Sequence, residues 1–324
     1  MDVSSEVEDR IHNALKSHSL ERIENGYRLV HPSGAGISTL RLLPVTGVRD
    51  APQVAAIAEV VADYRAAGLP SFNPAGAQRL NAMAVYGAYD LRDGQLRQTA
   101  QFSLYYKESA AHLATQTILN AFAAQLPIGR SVALAAISSA ALEQQRAHHA
   151  MPRDWKMPLK ADELRSAAAA LQKSGLAAAN NDFAVWAELA LSGDCPSRAI
   201  DPKAETALLQ VQAGMLHPIA GAGYLASISL PFARTPLDSA ELCRRLNALE
   251  LEHVDFVPRL GAWGLHGADG LPGYHCFIPC AEPYGGMHMA MIWWCVRRAA
   301  WLRDRFWVAE RGIVLDQEAE PEAG

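Results

Sequence analysis

The 324-residue chain has little excess charge of either sign, few aromatic residues and few cysteines. With 29 Lys and Arg against 34 Asp and Glu, its net charge is −5 and its pI is near 6.1. Basic residues are scattered apart from Arg297-Arg298 and Arg303-Arg305, so no nucleic-acid partner is expected. The longest apolar stretch, Met287 to Val296, spans about ten residues where a bilayer takes about twenty, and no membrane span is expected. The opening Met1-Asp2-Val3-Ser4-Ser5-Glu6 is acidic and polar where an export signal is basic and then apolar. Cysteine numbers five, and Cys243, Cys276, Cys280 and Cys295 fall in segments that read as buried. Reduced thiols packed as small hydrophobes in a cytoplasmic protein are the expectation.

Catalytic motifs are missing too. There is no Ser-His-Asp order, no Cys-x-x-Cys, no His-Glu-x-x-His and no phosphate loop. Gly34-Ala35-Gly36 and Gly221-Ala222-Gly223 lack the lysine and the strand-to-helix setting such a loop needs, and read as turns. On a strand, Cys276 and Cys280 share one face while His275 points to the other, so three metal ligands do not converge. No catalytic residue, metal or cofactor is expected.

Half the residues are hydrophobic and 19% are charged, a globular composition, and the length suggests about two domains. Two phrases recur in the same order. Val30-His31-Pro32 with Gly34-Ala35-Gly36 returns as Leu216-His217-Pro218 with Gly221-Ala222-Gly223. Arg79-Leu80-Asn81-Ala82-Met83-Ala84-Val85-Tyr86-Gly87-Ala88 returns as Arg259 to Ala268, with five of ten positions identical. The first copy reads α-β-β-α-β-β-α. A helix over Glu6–Ser17 leads to a hairpin turning at His31–Gly34, a helix over Val54–Ala66, strands over Leu80–Tyr89 and Leu96–Tyr106, and a helix over Ser109–Gln125. A further strand near residue 22 is possible. In the second copy, strands Leu208–Leu216 and Tyr224–Phe232 precede a helix over Ser239–Glu252. Strands Leu260–His266 and Tyr274–Cys280 then lead to a helix from Met287 to Phe306.

The expected class is α+β: two similar domains, each an antiparallel sheet packed with helices, arranged as a pseudo-dimer with a helical insertion. The domains are 1–130 and 204–312, the alanine-rich insertion is 131–203, and 313–324 is an acidic tail. Within the insertion, Ala161–Lys173 or Asn181–Leu191 is the candidate counterpart of the opening helix.

Leu242-Cys243-Arg244-Arg245-Leu246-Asn247-Ala248-Leu249, followed by Arg259-Leu260-Gly261-Ala262-Trp263 and by the strand ending Phe277-Ile278-Pro279, resembles the YbjN-like and type III secretion chaperone-like family. At the corresponding place the first copy has Val61-Ala62-Asp63. The resemblance implies a domain of helix, three-stranded sheet, helix, two strands and helix. It also implies dimers that bind extended protein segments without consuming ATP. A protein or peptide partner follows, with the chain acting as a monomeric pseudo-dimer or a homodimer.

Candidate binding residues are Trp263, Met287, Met291, Trp294 and Trp301, because the last helix is rich in large adaptable side chains that cannot share one narrow stripe. The alternative is an enzyme or small-molecule sensor with a pocket between the repeats faced by His31 and His217, whose imidazoles titrate near neutrality.

Overall fold

The computed structural model describes residues 3–16, 20–44, 54–65, 69, 71–105, 111–135, 161–191, 205–230, 238–252, 259–266, 270–279, 287–308 and 312–315. The first unit runs α1 (Val3–Leu15), β1 (Glu21–Ile23), β2 (Gly26–Val30), β3 (Gly36–Pro44), β4 (Val54–Tyr64), α2 (Pro74–Asn81), β5 (Ala88–Arg92), β6 (Gln95–Tyr105) and α3 (Ala111–Ala135). The second runs α4 (Ala161–Lys173), β7 (Ala177–Asn180), β8 (Ala184–Ala190), β9 (Thr206–His217), β10 (Gly221–Ser229), α5 (Ser239–Glu252), β11 (Ala262–His266), β12 (Leu271–Pro279) and α6 (Met287–Phe306). A short hairpin of β13 (Trp307–Val308) and β14 (Gly312–Ile313) follows.

Each unit holds a six-stranded antiparallel sheet, ordered β1-β2-β3-β4-β6-β5 in the first and β7-β8-β9-β10-β12-β11 in the second. The two orders are the same topology written twice. Helices α1 and α3 cover one face of the first sheet, and α4 and α6 cover the matching face of the second.

Three expectations need correcting. The Val54–Ala66 helix is strand β4. Ala56, Ala58, Val60, Ala62 and Tyr64 are buried, while Ile57, Glu59, Val61 and Asp63 between them are half-buried. Alanine's helix preference is worth under about 1 kcal/mol per residue, and pairing with β3 and β6 on both sides overrides it. The Leu80–Tyr89 strand is instead the end of α2 and the start of β5. A helix begins there because the Asn73 side chain accepts from the Gly76 N–H at 2.7 Å and Pro74 needs no donor.

The 131–203 insertion, finally, is not a helical linker where it is described. α3 runs on to Ala135, α4 is the second unit's opening helix, and β7 and β8 are two strands of its sheet. In β8, buried Val185, Ala187 and Leu189 alternate with half-buried Trp186, Glu188 and Ala190, a strand pattern that the alanine content hides.

Thr115–Ala135 is long and apolar enough to cross a membrane, yet half of that stretch is buried in this fold. Gly129 is the contact point of α3, where a Cβ would strike the hydroxyls of Tyr64 and Tyr89. Those hydroxyls are engaged, Tyr64 donating to Gln98 Oε1 at 2.6 Å and Tyr89 to the Gly129 carbonyl at 3.0 Å.

Candidate functional site

The units meet through their edge strands. Asn81, at the end of α2, accepts from Tyr89 N at 2.6 Å and donates to Tyr89 O at 3.2 Å. Asn247 does the same from α5, accepting from Trp263 N at 2.8 Å and donating to Trp263 O at 2.8 Å. Tyr89 and Trp263 are the second residues of β5 and β11, the edge strands of the two sheets, so each clamp satisfies backbone groups an edge leaves unpaired. Gln78 Oε1 accepts from both asparagines, at 2.9 and 3.2 Å, and ties the two clamps together.

This geometry revises the repeat alignment. Arg79-Leu80-Asn81-Ala82 of α2 matches Arg245-Leu246-Asn247-Ala248 of α5, so the first unit does carry the Leu-Asn pair, and Val61-Ala62-Asp63 lies in β4. Arg79 is helical whereas Arg259 is extended, which makes their matching phrases a coincidence of small and apolar residues.

Each unit also lends a short extended segment to the other. Val85, three residues before β5, bridges to Phe277 of β12, and Arg259, three residues before β11, bridges to Gln101 of β6. Arg259 N donates to Gln101 O at 2.7 Å, and Gly87 N donates to Leu260 O at 2.7 Å. Thr99 faces Ala88 and His275 faces Ala262, so Gln101 and Phe277 are equivalent and the exchange is reciprocal.

The pseudo-symmetry breaks at one place. α2 packs on both β5 and β11, whereas α5 packs on β11 and stands off β5. At position 264 a Cβ would lie 2.8 Å from Ala82 N and 2.8 Å from Asn81 Cβ, so glycine admits α2. The equivalent residue of β5 is Asp90, two positions into the strand as Gly264 is into β11. There Asp90 stands at an opening that α5 does not fill.

The opening is a cleft of about 680 Å3, measured out to solvent, with Asp90, Arg92, Arg97 and Thr99 on one wall and Arg244, Asn247 and Leu251 on the other; Gln78 and Arg259 also line it. Arg97 Nε donates to Asp63 at 2.6 Å, and Arg244 binds Glu241 through Nε and Nη2, both at 2.7 Å. Hydrogen bonds from Arg244 and Arg245 hold the Glu241 carboxyl down at about 2. Arg92 reaches no closer than 3.9 Å to Asp90. Arg259 donates to Gln101 Oε1, which leaves Gln101 Nε2 to donate to Glu59 at 3.0 Å.

Beneath the cleft, Glu250 accepts from Trp263 Nε1 at 2.8 Å and from Arg298 Nε at 3.1 Å. Arg298 lies 4.4 Å from the centre of the Tyr274 ring. Burial works against the charge of this guanidinium, and Glu250, Tyr274, Cys276 and Cys295 together more than restore it.

The sequence-nominated residues fall elsewhere. Trp263, Met291 and Trp301 are buried in the core, Trp263 packing edge-on to Tyr274 at 5.5 Å and Trp301 to Phe306 at 4.9 Å. Trp294 is half-buried in the same cluster, and the Met287 side chain lies outside the described residues. None of the four with described side chains lines the cleft.

His31 and His217 are not equivalent. His31 sits in the β2–β3 turn with its Nδ1 2.7 Å from Ser33 Oγ, whereas His217 ends β9, and that turn corresponds to the β3–β4 connection. The two histidines therefore stand at opposite strand ends of the repeated topology. His217 bonds across the interface to Met83 O at 3.1 Å.

Cys243, Cys276 and Cys295 are buried free thiols, each pushed up to about 12 by burial; Cys280 lies outside the described residues. Sequence reasoning missed Gln78, Asn81, Asp90 and the cleft arginines, although the repeated Arg-Leu-Asn-Ala was there to find. Comparison with protein-family models, curated proteins and solved structures finds no match.

Proposed function

We propose that the chain is a non-catalytic binding module, a chaperone or adaptor that holds a protein segment in the cleft between its units. The lining is the observation that carries this reading. Arg92, Arg97, Arg244 and Arg259 supply four guanidinium groups against the two carboxylates of Asp90 and Glu250, Gln78 and Asn247 supply amides, and Ala88, Ala248 and Leu251 supply apolar ground, with no histidine, cysteine or serine among the described lining residues. With cations in excess, that set suits carboxylates and backbone carbonyls, while Glu250 is committed to Trp263 and Arg298 and the Tyr89 hydroxyl to the Gly129 carbonyl. A partner segment bearing Asp or Glu suits it best.

The resemblance to YbjN-like and type III secretion chaperone-like proteins supports the same reading, since dimers of that family bind extended segments. A monomeric pseudo-dimer in the cytoplasm is the proposed working form. The test is affinity capture with the full chain and with an Arg92→Glu/Arg97→Glu variant, followed by mass spectrometry. A partner enriched about tenfold less by the variant supports the cleft, at roughly 1.4 kcal/mol per tenfold change. Equal enrichment by both places binding elsewhere, and no enriched partner counts against the function.

A further inference from the structure

The second unit grips the residues just after α2 with three histidines. His217 Nδ1 accepts from Ile219 N at 3.2 Å and Ala220 N at 3.0 Å, which leaves the proton on Nε2 to donate to Met83 O at 3.1 Å. Its ring packs 4.9 Å from that of Phe277. One residue earlier, the Ala82 backbone faces His275 and favours its charged form, though burial disfavours that form more. The His275 ring stacks on His266 with centroids 3.6 Å apart, and His266 Nε2 donates to Gly273 O at 3.1 Å. All three side chains come from strands of the second unit; His217 bonds to Met83 of the first, and His275 faces the adjacent Ala82.

We propose that this contact is a proton-operated latch, in which charging His217 and the His266–His275 pair releases residues 82–83 and loosens α2 from the second unit. The neutral imidazoles suit their places and the charged ones do not. A proton on His217 Nδ1 would confront two N–H groups that now donate to it, and two imidazolium rings cannot remain stacked at contact distance.

Compensating charge is scarce. On β9, β10 and the end of α2, the other ionisable side chains among the described residues are the buried Tyr224, a phenol that carries no charge at these pH values, and the exposed Arg79. On α5, Glu241 is paired with Arg244 and Arg245, and Glu250 with Arg298. Burial is the first cause that lowers His217 to about 4 and His275 to about 3, the neighbouring His266 adding to the second, and it lowers His266 as well.

These directions fix the sign. The neutral latch is fully held above the ordinary histidine value near 6.5, weakens as pH falls below it, and reaches its limit near the depressed values. Gln78, on the loosened helix, lines the cleft, so acid would reshape the binding site. The proposal concerns the interface alone and stands whether or not the cleft binds a protein.

The test is hydrogen exchange of the full chain at pH 7 and pH 5, corrected for intrinsic rates. Segments 78–88 and 262–277 are compared with β3, β4, β8 and β9 as internal controls. For His217 alone, a group that goes from about 4 when latched to 6.5 when free favours opening about 20-fold over that interval, so at least a tenfold rise confined to the interface is expected. The His217→Gln/His266→Gln/His275→Gln variant should lose the response. Histidine NMR titration of the unaltered chain serves if that variant does not fold. Three imidazoles titrating near 6.5, or an acid response equal in control and interface segments, overturns the latch.

Discussion

Asn81 and Asn247 each make a two-point bond to the backbone of an edge strand, and no other side chain of similar size offers a donor and an acceptor in that spacing. Replacing Asn247 by alanine removes its two hydrogen bonds to the Trp263 backbone and the one to Gln78, and strands a buried N–H and C=O, at a cost of about 2–3 kcal/mol. Asn247→Asp should cost as much, because a carboxylate turned toward the Trp263 carbonyl repels where the amide donated. Urea midpoints of the two variants check this, and a near-neutral Asn247→Asp would remove the clamp from the account. At this scale the sequence was partly legible. Leu246-Asn247 is legible as a family-like pair, while its twin Leu80-Asn81 is masked by the match of its phrase to Arg259–Ala268; Asn81 lies seven positions before β5 and Asn247 fifteen before β11. Equal function at unequal spacing defeats a search for equal gaps.

Among the elements, α2 owes its place against the second unit to the missing side chain of Gly264. Gly→Ala within a strand ordinarily stabilises by about 0.5–1 kcal/mol through the unfolded chain. At Gly264 the added methyl would meet the backbone of Asn81 and Ala82, so the sign inverts. Gly264→Ala is expected to destabilise by about 1–3 kcal/mol, the usual cost of overpacking, with the loss read as a lower thermal midpoint. Strand pattern was readable in β2, β3, β6, β9, β10 and β12, where turns punctuate the alternation. It was hidden in β4, β7 and β8, where alanine fills both faces and only sheet pairing decides between strand and helix. The cleft lay beyond sequence reading altogether, since Arg97 and Arg244 are brought to it by two different units.

The whole molecule is held by exchange as much as by packing. Each unit completes part of the other's sheet, through Val85 on Phe277 and Arg259 on Gln101. A single proteolytic nick between residues 136 and 160 is therefore expected to leave the two pieces associated through gel filtration in native buffer, and to separate them only in denaturant. Pieces that elute apart would show that the covalent connection, not the exchange, holds the units together. The closed side under α2 and the open side under α5 carry a further consequence. In an assembly of two identical chains every substitution is made twice, so glycine at one edge and aspartate at the other could never coexist. A single chain carrying both units is free of that constraint: one half can specialise in holding the assembly shut while the other keeps a door.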